Sequence, residues 1–139
     1  MPQREHSPDE IRVLEYPDCV RSRPAMYFGE LTSPDAVNLT LLECLCLALD
    51  NSNGGCATDI QITINADGSV VVWDDGPGVD VQSGSHGMTE LDAVFSMLMG
   101  CRHRKSTDEL KESLCHIGMA PVNAVCTSLT YETAQSGYE

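Results

Sequence analysis

The stretch DIQITINADGSVVVWDDGPG, residues 59–78, limits the fold more than any other part of the chain. Ile60, Ile62 and Ile64 alternate with Gln61, Thr63 and Asn65, the period-two pattern of a strand with two unlike faces. Asn65-Ala66-Asp67-Gly68 then supplies turn chemistry, and a β-branched run over 70–72 with Trp73 forms the returning strand. The segment reads as a β-hairpin, which excludes an all-helical fold.

Helical signals flank it. Ser7-Pro8-Asp9-Glu10 offers a Ser cap, Pro at the first helical position and Glu where a capping box places it. Ser33-Pro34-Asp35-Ala36 repeats the Ser-Pro opening and leads into an apolar run that ends ECLCLALDN, residues 43–51. Leu41, Leu42, Leu45, Leu47 and Leu49 read there as a buried stripe running into Asp50-Asn51, and Asn53-Gly54-Gly55 stops the helix. Thr89-Glu90-Leu91-Asp92 opens another helix with Leu91, Val94, Phe95 and Leu98 at i, i+3, i+4, i+7. After the polar stretch CRHRKSTDELKES, residues 116–133 read as a helix passing into a strand. There are no repeats and no interdomain linker. The order predicts a single domain over 1–139, an α+β two-layer sandwich with a mixed sheet and helices on one face.

Charge and cysteine usage narrow the function classes. The 139 residues carry 21 Asp plus Glu against eight Lys plus Arg, a net charge of −13, so the surface repels nucleic-acid phosphates. The basic residues gather at 21–24 and 102–105, and neither cluster makes a DNA-binding face. No run approaches the roughly 18–20 apolar residues of a membrane span. The polar N-terminus does not read as a secretory signal. Seven cysteines lack regular spacing; Cys44 and Cys46 sit in apolar helix and read as small hydrophobes. A reducing cytoplasm is the simplest setting.

Four segments carry chemistry: Arg21-Ser22-Arg23-Pro24-Ala25-Met26-Tyr27-Phe28-Gly29, Asp50-Asn51, Asp74-Asp75-Gly76-Pro77-Gly78, and Gly118 opening GMAPVNAV. Each has an ordinary reading as well. Asn51 is a plausible helix C-cap, and DDGPG is a plausible turn. Cys101, His103, Cys115 and His116 lack the spacing of a zinc finger and read as a lid with incidental thiols, so zinc is not expected.

The order of these motifs resembles the N-terminal ATPase domain of the DNA gyrase B subunit and its type IIA topoisomerase relatives, in the GHKL superfamily. IRVLEYPDCVRSRPAMYFG, residues 11–29, carries the resemblance most specifically, and it continues to about Thr130. It implies a GHKL sandwich, trimmed on its C-terminal side, that binds ATP or ADP with Mg²⁺. It implies Asn51 as the Mg²⁺ ligand, a hard oxygen for a hard ion, and Asp74 as acceptor for the adenine amino group. Gly76 and Gly78 would let backbone approach the purine, and Val79, Val94, Gly118 and Met119 would complete the nucleotide contacts.

The departures from that pattern are equally specific. The general-base position, four residues before Asn51, is Leu47, which cannot take a proton. Glu43 lies a further turn away, about 6 Å along the axis, and is expected to pair with an arginine or reach solvent. In the lid region, 101–117, the family's phosphate-wrapping glycines are largely replaced and Gly118 remains. Pro77 stands at the family's arginine position. The N-terminal arm, 1–10, lacks the tyrosine that reaches a partner subunit.

Two functions follow. One is a gyrase-B-like nucleotide-binding domain that retains at most nucleotide binding and has lost autonomous hydrolysis. The other is a pseudoenzyme, an acidic interaction or regulatory module acting on a protein partner such as a topoisomerase. A homodimer is compatible with both.

Overall fold

The protein is described from a computed structural model, which describes residues 13–52, 57–81, 87–100 and 116–133; of residues 51 and 52 it describes the helical backbone alone. The expected first helix at Ser7, the stop at Asn53 and nearly all of the lid lie outside these residues.

Two short helices come first, α1 (Asp18–Arg21) and α2 (Ala25–Phe28). Each follows a proline, Pro17 and Pro24, whose fixed φ suits the start of a helix. They are too short to leave a periodic signature, yet they bury Val20 and Phe28 in the core. Gly29 ends α2 at φ 69°, a backbone conformation that side-chain-bearing residues disfavour.

Helix α3 (Pro34–Ser52) starts where Ser33-Pro34 predicts. Ser33 Oγ accepts a hydrogen bond from the Asp35 N–H at 3.2 Å, satisfying one of the unpaired amides of the first turn. The face that α3 buries is not the leucine stripe. Leu42 is exposed and Leu41, Leu45 and Leu49 are half-buried, whereas Ala36, Glu43, Cys46, Leu47 and Ala48 are buried. Ala36, Thr40, Glu43 and Leu47 follow the helical spacing i, i+4, i+7, i+11, so a carboxylate occupies a core position.

The hairpin forms as expected, β1 (Ile60–Ile64) antiparallel to β2 (Val70–Asp74) with Ile62 opposite Val72. Gly68 takes φ 84° in the turn, and Asp67 Oδ1 accepts from the Ser69 N–H at 2.9 Å. The hairpin's open end is held by Asp75, which accepts from the Thr58 and Asp59 N–H groups at 2.7 and 2.9 Å. Among the described residues the sheet has these two antiparallel strands, so the molecule is α+β with a small antiparallel sheet, and no parallel pair of a mixed sheet is seen among them. Ile64, Val71 and Trp73 remain exposed, and α3 packs on β2.

Helix α4 (Glu90–Ser96) has the predicted capping box, with Thr89 and Asp92 exchanging hydrogen bonds. It ends at Ser96, so Leu98 falls beyond it and is exposed instead of continuing the buried stripe. Helix α5 (Met119–Val125) buries Met119, Ala120, Pro121, Val122 and Ala124. The strand expected after it does not form among the described residues, because 126–133 packs by side chains and does not join the ladder. Tyr131 stacks at a tilt on Phe95, ring centres 5.0 Å apart.

One core joins these elements: Val20, Phe28, Ala36, Leu47, Val79, Val94, Phe95, Met119, Val122 and Ala124. Arg21 Nε donates to the Ala124 carbonyl at 2.7 Å and ties α1 to the end of α5. No described helix is long and apolar enough to cross a membrane.

Candidate functional site

The candidate site lies where α3, the loop after β2 and the start of α5 converge. Four of its predicted members, Leu47, Val79, Val94 and Met119, are brought together as parts of the core cluster. Leu47 is 6% exposed and is a packing position. A carboxylic acid placed there would enter an apolar surround with nothing to ionise against.

Glu43 sits on the same face one turn earlier and is 0% exposed. Among the described residues it pairs with no arginine, and it does not reach solvent, which corrects the expectation of solvent exposure. Its Oε1 accepts from the backbone N–H of His116 at 2.9 Å and of Ile117 at 3.2 Å, and its Oε2 from Gly118 at 2.9 Å. The imidazole Nδ1 of His116 lies 3.5 Å from Oε1 on the solvent side. Burying a carboxylate costs several kcal/mol, and charge-assisted hydrogen bonds return roughly 1.5–3 kcal/mol each. Three amides on one carboxylate are therefore enough to hold it away from water.

Gly118 makes this geometry possible. At φ 80°, ψ 176° it turns its amide inward beside those of 116 and 117, a conformation that residues with a Cβ rarely adopt. Successive backbone N–H groups converging on one centre form an anion nest. Here the anion is Glu43.

At the other end, Asp74 closes β2 and its Oδ1 accepts from the Gly76 N–H at 3.0 Å. No described hydrogen bond reaches its Oδ2, so one carboxylate oxygen is left to take a donor. Asp75 serves the hairpin instead. Hydrogen bonds from the Asp59 and Thr58 N–H groups and the Thr58 hydroxyl hold its carboxyl below the usual carboxylate range. Gly78 takes φ 70°, and a Cβ there would overlap Thr133 Oγ1. The Val79 N–H donates to the Tyr131 hydroxyl at 3.0 Å. The segment 131–133 thus lies directly on Gly78 and Val79. Thr133 Oγ1 is buried and has no partner among the described residues.

Asn51 is in the last turn of α3, on the helix that carries Glu43 and Leu47, and its side chain lies outside the described residues. Cys101, His103 and Cys115 also lie outside them, and the described residues hold no cluster of three metal-ligating side chains. A groove of about 510 Å³, lined by Arg21, Phe28, Val37, Thr40 and Cys126, includes none of the predicted site residues.

The fit to a nucleotide is split. Asp74 Oδ2 suits the donor edge of a purine. On the other side, the described amides of 116–118 are already engaged by Glu43. The sequence placed Glu43 one turn from Leu47 but did not show its backbone partners. The only available signal was a lone charge in phase with Ala36 and Leu47.

No family model matches the chain. Curated proteins do. The chain is 35% identical over 137 residues to the DNA gyrase B subunit of Mycolicibacterium smegmatis, covering 98% of this chain and 20% of that protein. It is 32% identical over 138 residues to the DNA gyrase B subunit of Mycobacterium tuberculosis, covering 99% and 20%. With the Caulobacter vibrioides DNA gyrase B subunit it shares 33% identity over 124 residues, covering 87% and 15%. The chain therefore spans about a fifth or less of the length of these relatives.

Proposed function

We propose, on the premise that this chain is related to the DNA gyrase B subunit along nearly its whole length, that it is a GHKL-type nucleotide-site domain without autonomous ATP hydrolysis. The observation that carries the reading is the burial of Leu47, the residue that this reading takes as standing at the position of the water-activating base. Proton abstraction needs a basic group within hydrogen-bond reach of the water. Leucine has none, and Glu43, the nearest carboxylate on that face of α3, is already committed to three backbone amides.

Under this reading the purine side keeps its function. Asp74 accepts from the adenine amino group, and Asn51 at the end of α3 supplies an oxygen to Mg²⁺ when a nucleotide is bound. Any ADP or ATP is held mainly through its base, so affinity is weak and differs little between the two. Calorimetry with ADP and Mg²⁺ tests this. Binding that Asp74→Asn weakens supports it, and binding indifferent to Asp74 contradicts it.

A second reading is favoured by a separate observation. The net charge of −13 and the protein's own occupancy of the phosphate nest suit an acidic interaction module. Its partner would be a protein with a basic face, a topoisomerase among the candidates. Absence of any ADP signal at millimolar ligand favours this module over the nucleotide-binding one.

A further inference from the structure

Residues 127–133 follow α5 with no backbone-to-backbone hydrogen bond among the described residues. Side chains seat the segment instead. The Tyr131 ring packs on Phe95, and its hydroxyl accepts the Val79 N–H at 3.0 Å. Thr133 Oγ1 fills the space in front of Gly78 that a Cβ would need.

Two features make this seat reversible. Thr133 Oγ1 is buried with no hydrogen-bond partner among the described residues. The seated segment therefore keeps a hydroxyl desolvated, and lifting it returns that group to water. A groove of about 290 Å³, lined by Leu91, Phe95, Asn123, Leu129 and Tyr131, also runs along the segment. It is not packed on all sides as a core is.

We infer that residues 129–133 form an intramolecular strap over the loop after β2, which an adenine-bearing ligand must displace. The inference rests on the reading above of a nucleotide-site domain, in which Gly78 and Val79 face the base. It adds that the base side carries the chain's own cover. Tyr131 holds the Val79 N–H, and Thr133 takes the room that a glycine at 78 leaves. The affinity for ADP is then lowered by the fraction of molecules in which the strap is open.

The test is calorimetric titration of the full chain with ADP and Mg²⁺, using two variants with opposite expected effects. Tyr131→Phe keeps the ring on Phe95 and loses the bond to Val79, so the strap opens more often. ADP then binds roughly three- to tenfold more tightly than to the wild type. Thr133→Val replaces the unpartnered hydroxyl by a methyl of similar size, which favours the seated strap. ADP then binds more weakly. A folded Tyr131→Phe protein with unchanged or weaker ADP binding overturns the inference, as does a folded Thr133→Val protein with unchanged or tighter binding. If circular dichroism shows one variant unfolded, the other decides alone.

Asp74→Asn separates this inference from the reading beneath it. Binding that Tyr131→Phe strengthens but Asp74→Asn leaves unchanged sinks the reading and spares the strap. Binding that depends on Asp74 and ignores Tyr131 does the reverse. No heat from any of these folded proteins at millimolar ADP overturns both.

Discussion

Gly118 donates its backbone N–H to Glu43 Oε2 at 2.9 Å, joining residues 75 positions apart in the chain. This bond and its neighbours from 116 and 117 fasten the start of α5 to the middle of α3. Glu43→Ala leaves those amides without acceptors and costs about 3–5 kcal/mol of stability. Glu43→Gln, which keeps one acceptor oxygen, costs about 1–3 kcal/mol. Chemical denaturation midpoints at unchanged slope check both, and a near-neutral Glu43→Ala contradicts the assignment.

Leu47 is a core residue. Leu47→Ala is expected to cost about 2–5 kcal/mol, the usual range for a buried leucine. Leu47→Glu, which under the proposed reading restores a base, adds a second buried carboxylate one turn from Glu43. It should destabilise more than alanine does and give no ATP turnover. Thermal melting beside a phosphate-release assay reads both outcomes, and a stable, active Leu47→Glu protein would show that the site was one residue from function.

Asp75 makes the hairpin acid-sensitive. Its folded-state pKa lies below the ordinary value near 3.9. The folded state therefore binds protons less readily than the unfolded chain. The stabilisation is fully present above the unfolded pKa and is lost as pH falls through the folded one. Asp75→Asn should flatten that part of the profile. Amide chemical shifts of Thr58 and Asp59 followed between about pH 5 and pH 2 check the site directly, and an unchanged profile in the variant contradicts it.

Burial pushes the Cys44 thiol up to about 11. At pH 8 only on the order of a thousandth of it is thiolate, the form that alkylating agents attack. Native protein should leave Cys44 unlabelled by iodoacetamide while denatured protein is labelled at once. Peptide mapping distinguishes the two, and rapid native labelling at Cys44 contradicts its burial.

Gly78 and Thr133 touch closely enough that no side chain fits between them. Gly78→Ala adds an overlap to a backbone penalty of about 1–3 kcal/mol. Pairing it with Thr133→Ala should recover the steric share and leave the conformational share, a coupling that a double-mutant cycle measures. Strict additivity of the two substitutions contradicts the contact.

Local chemistry was readable in the sequence wherever a short stretch decides its own structure. Ser33-Pro34, the Asn65–Gly68 turn and the Thr89–Asp92 box each rest on residues within four positions of one another. The relationship to gyrase B was readable too, from residues 11–29. The phase of α3 was not, because leucines at 41, 42, 45, 47 and 49 surround the helix and hide which side faces the core. Glu43 was opaque for another reason: its partners lie 73–75 residues away, and no local pattern announces a carboxylate bound to backbone. The strand expected at the end of the segment 116–133 did not form among the described residues. β-propensity marks a segment that can pair, while the tertiary packing of Tyr131 and Thr133 decided that it does not.

The most direct measurement is steady-state ATP hydrolysis by the wild-type chain with Mg²⁺, alongside Asn51→Ala. Under the proposed reading, phosphate release stays at background in both proteins. Turnover in the wild type that Asn51→Ala abolishes would contradict the loss of catalysis at this site.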